Sequence, residues 1–240
     1  MLARQEMLQF VRSEHGDGRA AVEDELRFML SQPLERLVTT EDRPQFLGVA
    51  QEWDIPQGDR FALGEWGLPQ LPLFTPRPQA GSDPVLVPNV AGEHERRLVK
   101  DGQQLYDLGF WGPSEDSFVV GVVPGDGRVL CLLPAPITVD DIPEVLRPYH
   151  AGLHKPAVSF FSSSVAQYVE TSWRWSAAIQ ILRKVEEPAY TASEADHVRH
   201  YDRLYACVEL VVDAARRLDH AVAAEDPQPV WIELIRENSM

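Results

Sequence analysis

Apolar residues recur at intervals of three and four at both ends of the chain, and in its middle they run together between turns. Over residues 1–15, Met7, Leu8 and Val11 fall on one side of a predicted helix that Gly16 and Gly18 stop. "AVEDELRFMLSQPLERL" repeats the pattern, with Val22, Leu26, Met29 and Leu30 on one face and Pro33 as its limit. A later helix is entered at Ser162, Ser163 or Ser164, any of which can cap it. Its inward stripe is Val165, Tyr168, Val169, Ser172, Trp173, Ser176, Ile179 and Leu182, with Phe160 or Phe161 placed as a hydrophobic staple. The longest element, about thirty residues, opens on a Thr191–Glu194 capping box. It carries Tyr201, Leu204, Val208, Val211, Ala215, Leu218 and Val222, and the flanking Tyr205 and Val212 widen that stripe beyond a coiled-coil seam. "PVWIELIRE" then predicts a short helix that folds Trp231, Ile232 and Ile235 back on the body.

The middle reads differently. Six prolines between Pro69 and Pro88 exclude helix and central strand over about 61–90. The apolar residues among them (Trp66, Leu68, Leu71, Leu73, Phe74) predict an ordered irregular layer against the core. "RRLVK" and "DGQQLYDLGF" suggest a hairpin turning at Asp101–Gly102. "SFVVGVVP" and "RVLCLLPAP" are β-branched, apolar strands joined by Gly125-Asp126-Gly127. "DDIPEVLRPYH" has room for one or two helical turns, stopping near Pro148. No internal repeat is present.

Composition narrows the partners. With 44% hydrophobic residues in 240, the chain can bury a sizeable core. A formal net charge of −15 argues against a nucleic-acid partner, which needs a concentrated basic face, and favours a basic protein if there is one. Cys131 and Cys207 sit in apolar runs and read as buried thiols in a reducing compartment. The first fifteen residues carry charges and no signal-type apolar core, and no run approaches the ~18 apolar residues of a membrane span. A cytoplasmic location is expected.

The candidate chemistry is sparse. His150 and His154 lie four apart, but a glycine intervenes and no H-E-x-x-H glutamate accompanies them. His197 and His200 near Asp196 and Asp202 suit polar positions at a helix start as well as a metal. Ser162–Ser164 lack a nucleophile elbow and an obvious histidine. The acid pairs Glu115–Asp116 and Asp140–Asp141 carry no rule fixing their separation. The glycines of "GDG" have no P-loop lysine, Asp126 would repel phosphate, and a strand follows where a helix is required. Gly125 and Gly127 supply turn dihedrals and Asp126 can accept from its own backbone, so the tripeptide reads as a hairpin tip. No catalytic, cofactor or metal site is expected.

The order of segments resembles the SUKH superfamily of bacterial toxin-immunity proteins, in its actinobacterial branch. The resemblance rests on "FALGEWGLPQ" (Phe61–Gln70), "LYDLGFWG" (Leu105–Gly112), "SFVVGVVPGDGRVLCL" (Ser117–Leu132) and "FFSSSVAQYVETSWRW" (Phe160–Trp175). It spans about 45–185; where the family often has an asparagine before the helix, this chain has Phe161 or Ser162. The resemblance implies an α+β fold, a twisted and mostly antiparallel sheet with helices packed on it and a long C-terminal helix. It implies one domain over 1–240, with helical extensions at 1–40 and 190–240. It implies no enzyme but a protein that binds a cognate secreted toxin, a nuclease or nucleic-acid deaminase, with no cofactor. Against such a basic toxin the expected surface has an aromatic centre and an acidic rim: Glu65, Trp66, Trp111, Glu115, Asp116 and Asp126, with core packing against the sheet as the rival reading for Trp66 and Trp111. Two alternatives stand beside this reading. One is a scaffold self-associating through the Tyr201–Val222 helix, with a weak homodimer compatible with either binding role. The other is a hydrolase in which His150, His154 or His197 meets a carboxylate in a pocket.

Overall fold

The computed structural model describes residues 18–38, 46–71, 73–77, 84–88, 92–112, 118–185, 187–223 and 229–239. The helix expected over 1–15 lies outside them. Helix α1, Gly18–Leu30, turns Val22, Leu26 and Met29 inward as the spacing predicts. Two helices follow, α2 (Leu47–Glu52) and α3 (Gln57–Trp66). Helix α3 corrects the expectation that the proline-rich stretch is helix-free from residue 61. Its prolines begin only at Pro69, and Pro56 stands at the N-cap, where a missing N–H costs nothing. The helix ends because Gly67 takes φ 58°, with its N–H donating to the Leu63 carbonyl at 3.0 Å.

After the short strands β1 (Phe74–Pro76) and β2 (Val85–Leu86), "EHERRL" forms helix α4, Glu93–Leu98. The expected first strand of a hairpin is therefore a helix. Glu95 in its first turn accepts from the Gly92 N–H at 2.8 Å, a helix-start bond that alternating hydrophobicity does not reveal. Asp101–Gly102 still turns the chain, now from helix into strand, with Gly102 at φ 67°.

Strands β3 (Gln104–Trp111), β4 (Phe118–Val122), β5 (Val129–Leu132) and β8 (Val158–Ser162) form an antiparallel run. Strands β1 and β2 add to β3, giving six strands in the order β1-β3-β4-β5-β8 with β2 also on β3. Between β5 and β8 the chain leaves the sheet. It forms a separate pair, β6 (Ile137–Thr138) with β7 (His154–Lys155), enclosing two 3₁₀ turns, Val139–Asp141 and Glu144–His150. The second turn runs past Pro148 rather than stopping there.

Helix α5, Val165–Leu182, is capped by Ser164, whose hydroxyl accepts from the Gln167 N–H at 3.2 Å. Phe160 and Phe161 belong to β8 and do not form a loop staple; buried Phe161 meets Tyr168 at 5.0 Å between ring centres. Helix α6, Glu194–Leu218, has 25 residues and starts on a Ser193–Asp196 capping box, displaced by two positions from the expected Thr191–Glu194. It ends at Asp219, so Val222 falls in a following 3₁₀ turn, His220–Ala223. Helix α7, Val230–Asn238, buries Trp231, Ile232 and Ile235 as expected.

The sheet is covered on both faces. Leu108, Val120, Val122, Val129, Cys131 and Phe161 share one core with the helices, whereas Leu105, Leu130, Leu132 and Val158 share another with Val87 and Val99. The larger core is centred on rings: Trp111 stacks on Trp175 at 5.4 Å and meets Trp231 edge-on at 6.3 Å. Each large apolar side chain so buried contributes on the order of 1.5–3 kcal/mol. Both cysteines are buried, and burial pushes the Cys131 thiol well above its ordinary range.

Candidate partner interface

Helix α3 buries Asp59, Ala62 and Leu63. One turn round, it presents Phe61, 59% exposed, and Glu65, also exposed. Trp66 is half-buried and meets the Phe61 ring edge-on at 5.5 Å. Between α2 and α3 lies a cleft of about 350 Å³ lined by Ala50, Gln51, Arg60, Phe61, Gly64 and Glu65. An aromatic pair beside a carboxylate on the lip of a cleft can seat an apolar side chain and answer a cation next to it.

The hairpin tip is fixed to the start of this helix. Gly125 and Gly127 take φ 87° and 78°, and the Gly125 N–H donates to the Asp54 carbonyl at 2.7 Å. A Cβ on Gly127 would lie 2.1 Å from Asp59 Oδ2. Asp126 accepts from the Arg128 backbone N–H at 2.9 Å and from its Nε at 2.8 Å, and it remains exposed. Asp59 in turn receives the Ala166 N–H at 2.8 Å in the first turn of α5, while its other oxygen has no partner. Burial raises its carboxyl above the ordinary range, against the opposing bonds from Ala166, Ser164 and Val165.

The expected interface residues therefore separate. Asp126 lies at the start of α3 and Glu65 and Trp66 at its end, about 12–14 Å along the helix axis. Trp111 is 2% exposed and cannot line a surface: its indole N–H donates to the Tyr168 hydroxyl at 3.1 Å within the ring cluster. Strand pairing explains this, because Trp111 faces Phe74 and Phe118 across the ladder and the bend begins only after it. Trp111 and Asp126 also stand at opposite ends of β4, since consecutive hairpins of a meander alternate ends. Glu115 and Asp116 lie outside the described residues.

The other candidates resolve into structural roles or separate. Ser162 Oγ and Ser163 Oγ donate to Asp219 at 2.9 and 2.7 Å, and the Ser163 N–H does so at 2.6 Å. This buried carboxylate ties the end of α6 to the start of α5. Glu95 bridges similarly, accepting from the Val158 N–H at 3.1 Å. Asp59, Asp219 and Glu95 escaped the sequence reading because each also bonds residues far along the chain, Ala166, Ser162 with Ser163, and Val158, which no local spacing marks. His150 and His154 sit exposed on the excursion between β5 and β8, whereas His197 is on α6. Neither the α2–α3 cleft nor a second of about 370 Å³, bordered by Ile179, Arg183, Glu187, His200 and Tyr201, is lined by any of these three. Among the described residues no group of three or more His, Cys, Asp and Glu could hold a metal ion.

On α6 the stripe expected to mediate self-association is largely used within the chain. Leu204, Val208, Val211, Val212 and Ala215 are buried, leaving Val198, Tyr201 and Tyr205 exposed near its start. No described helix is long and apolar enough to cross a membrane.

Comparison with known families identifies the chain. The family model of the SUKH-4 immunity protein matches residues 34–237, and the chain belongs to that family, a member of the SUKH superfamily. The match takes in α6 and α7, beyond the 45–185 over which the resemblance was traced. No curated protein and no solved structure matches the chain.

Proposed function

We propose that this SUKH-4 protein neutralises its cognate toxin by stoichiometric occlusion without turning over a substrate, and that the toxin is a nuclease or nucleic-acid deaminase. An enzyme that handles nucleic acid presents cations where phosphates lie, and carboxylates on a protein carrying −15 formal charges can take those positions. The observation that carries the placement is the exposed Phe61 packed on Trp66 beside Glu65, at the lip of the α2–α3 cleft. Asp126, exposed at the other end of α3 and paired with Arg128, supplies a separate acidic position. A second reading, a weak homodimer, is favoured by the exposed Tyr201 and Tyr205 on α6.

The test starts with capture on the immobilised chain from its native host at low ionic strength. The recovered protein is then expressed alone in a sensitive bacterium. It should arrest growth, co-expression of the wild-type chain should restore it, and Phe61→Ser with Glu65→Lys should weaken binding at least tenfold. A recovered protein that is harmless, or whose toxicity the wild-type chain does not relieve, overturns the reading.

A further inference from the structure

The excursion between β5 and β8 joins two neighbouring antiparallel strands that a short turn could connect. It is ordered instead by bonds of its own. Thr138 donates its N–H and hydroxyl to Asp141 at 2.6 and 2.9 Å, and Arg147 donates to the carbonyls of Ile142 and Asp140 at 3.3 and 3.1 Å. Neither of its 3₁₀ turns contains a buried residue, so the arm stands out from the body. Yet it carries Val145 at 75%, Leu146 at 44% and Tyr149 at 82% exposure. In a 3₁₀ turn residues three apart eclipse, so Leu146 and Tyr149 share one side and Val145 is adjacent. Fixing such a segment costs conformational entropy, and neither of its 3₁₀ turns buries a residue that would offset it.

The charges around the trio are lopsided. Arg147 is turned onto backbone carbonyls and Asp140, 3.7 Å away, and Lys155 faces Glu233 of α7 at 3.6 Å. Asp140, Asp141 and Glu144 are exposed, and the Thr138 bonds hold the Asp141 carboxyl below the ordinary range, so it stays charged. With Arg147 offset by Asp140 and Lys155 by Glu233, Asp141 and Glu144 remain as exposed carboxylates beside the apolar tip. The trio exposes on the order of a few hundred Å², well below the ~800 Å² per partner of a standard interface, so two copies laid tip to tip would not hold. A protruding tip of this size is best covered by a concave surface.

We infer that the 133–157 arm is a second docking element, whose Val145–Leu146–Tyr149 tip enters an apolar cleft bordered by lysine or arginine on the toxin. This rests on the toxin-binding reading above and adds a contact remote from α3. The arm leaves β5 at Leu132, at the end of the sheet opposite the Asp126 tip, so the two surfaces would grip different parts of one partner.

The probe is the purified toxin recovered on the wild-type chain. Val145→Ser/Leu146→Ser/Tyr149→Ser should lower its affinity at least tenfold with an unchanged urea midpoint. Asp141→Lys/Glu144→Lys should lower it severalfold, an effect lost in high salt. A photo-reactive phenylalanine analogue at position 149 should cross-link to the toxin. If the triple variant binds as wild type while Phe61→Ser/Glu65→Lys weakens binding, the arm proposal is overturned and the toxin-binding reading stands. If wild type relieves no toxicity, both fall. If sedimentation shows a wild-type dimer that the triple variant dissolves, the tip meets a second copy and the proposal fails.

Discussion

Strand β5 is entered through the Gly125–Asp126–Gly127 hairpin and left through the 133–157 arm, and the two connections solve the same task with opposite means. At the hairpin nearly every group has a partner in the chain: Gly125 on Asp54, Asp126 on Arg128, Gly127 against Asp59. At the arm the polar groups bond one another while Val145 and Tyr149 at its tip stand 75% and 82% exposed. A connection so tightly packed answers to stability; one that keeps its order while leaving apolar surface uncovered is free to answer to a partner.

The contrast can be broken at three points. Gly127→Val should have the largest effect. It forces a β-branched residue to φ 78° and drives a Cβ toward a buried carboxylate 2.1 Å away, so urea unfolding should show a loss of roughly 3 kcal/mol or more. A near-neutral result would mean the tip is not clamped. Asp59→Asn should act through pH. Because burial raises the Asp59 carboxyl, the folded state holds its proton more tightly than the unfolded state, whose reference value is 3.8. Stability therefore falls as pH climbs from 3.8 through the raised folded value, and the full penalty is present above it. The variant should have a flatter profile of urea midpoint against pH across that window, and an unchanged slope would refute the assignment. Smallest of all, Val145→Ser with Tyr149→Ser should change stability by no more than about 0.5 kcal/mol, and a larger loss would show that the arm packs on the body.

What the residue pattern reveals depends on how local its cause is. Val22, Leu26 and Met29, or Leu204, Val208 and Val211, declare a helix face because burial repeats with the helix period. Asp126 declares its turn because its acceptor and donor are two residues apart. "EHERRL" misled because a helix-start bond from the Gly92 N–H to Glu95 leaves no mark in its hydrophobic pattern, and the other Glu95 oxygen meets the Val158 N–H 63 residues away. "TASEAD" contains two overlapping capping boxes, and only the chain's approach to α6 selects Ser193 over Thr191. At the candidate surface, the bend after α3 leaves Glu65 exposed and Trp66 half-buried against the core. Trp111 was misplaced because its burial comes from rings on α5 and α7. Val145, Leu146 and Tyr149 look in sequence like any helical turn bound for a core, and only the fold shows them exposed.

The borders of the sheet carry one more consequence. On one side they are β1 and β2, with 3 and 2 residues, and β1 ends in Pro76, which has no N–H to offer. On the other side Val158 opens β8 with its N–H already claimed by Glu95. Neither border offers a long free ladder, so a passing extended chain finds little template for strand addition. The described borders of the sheet thereby discourage the chain from growing into fibrils of its own.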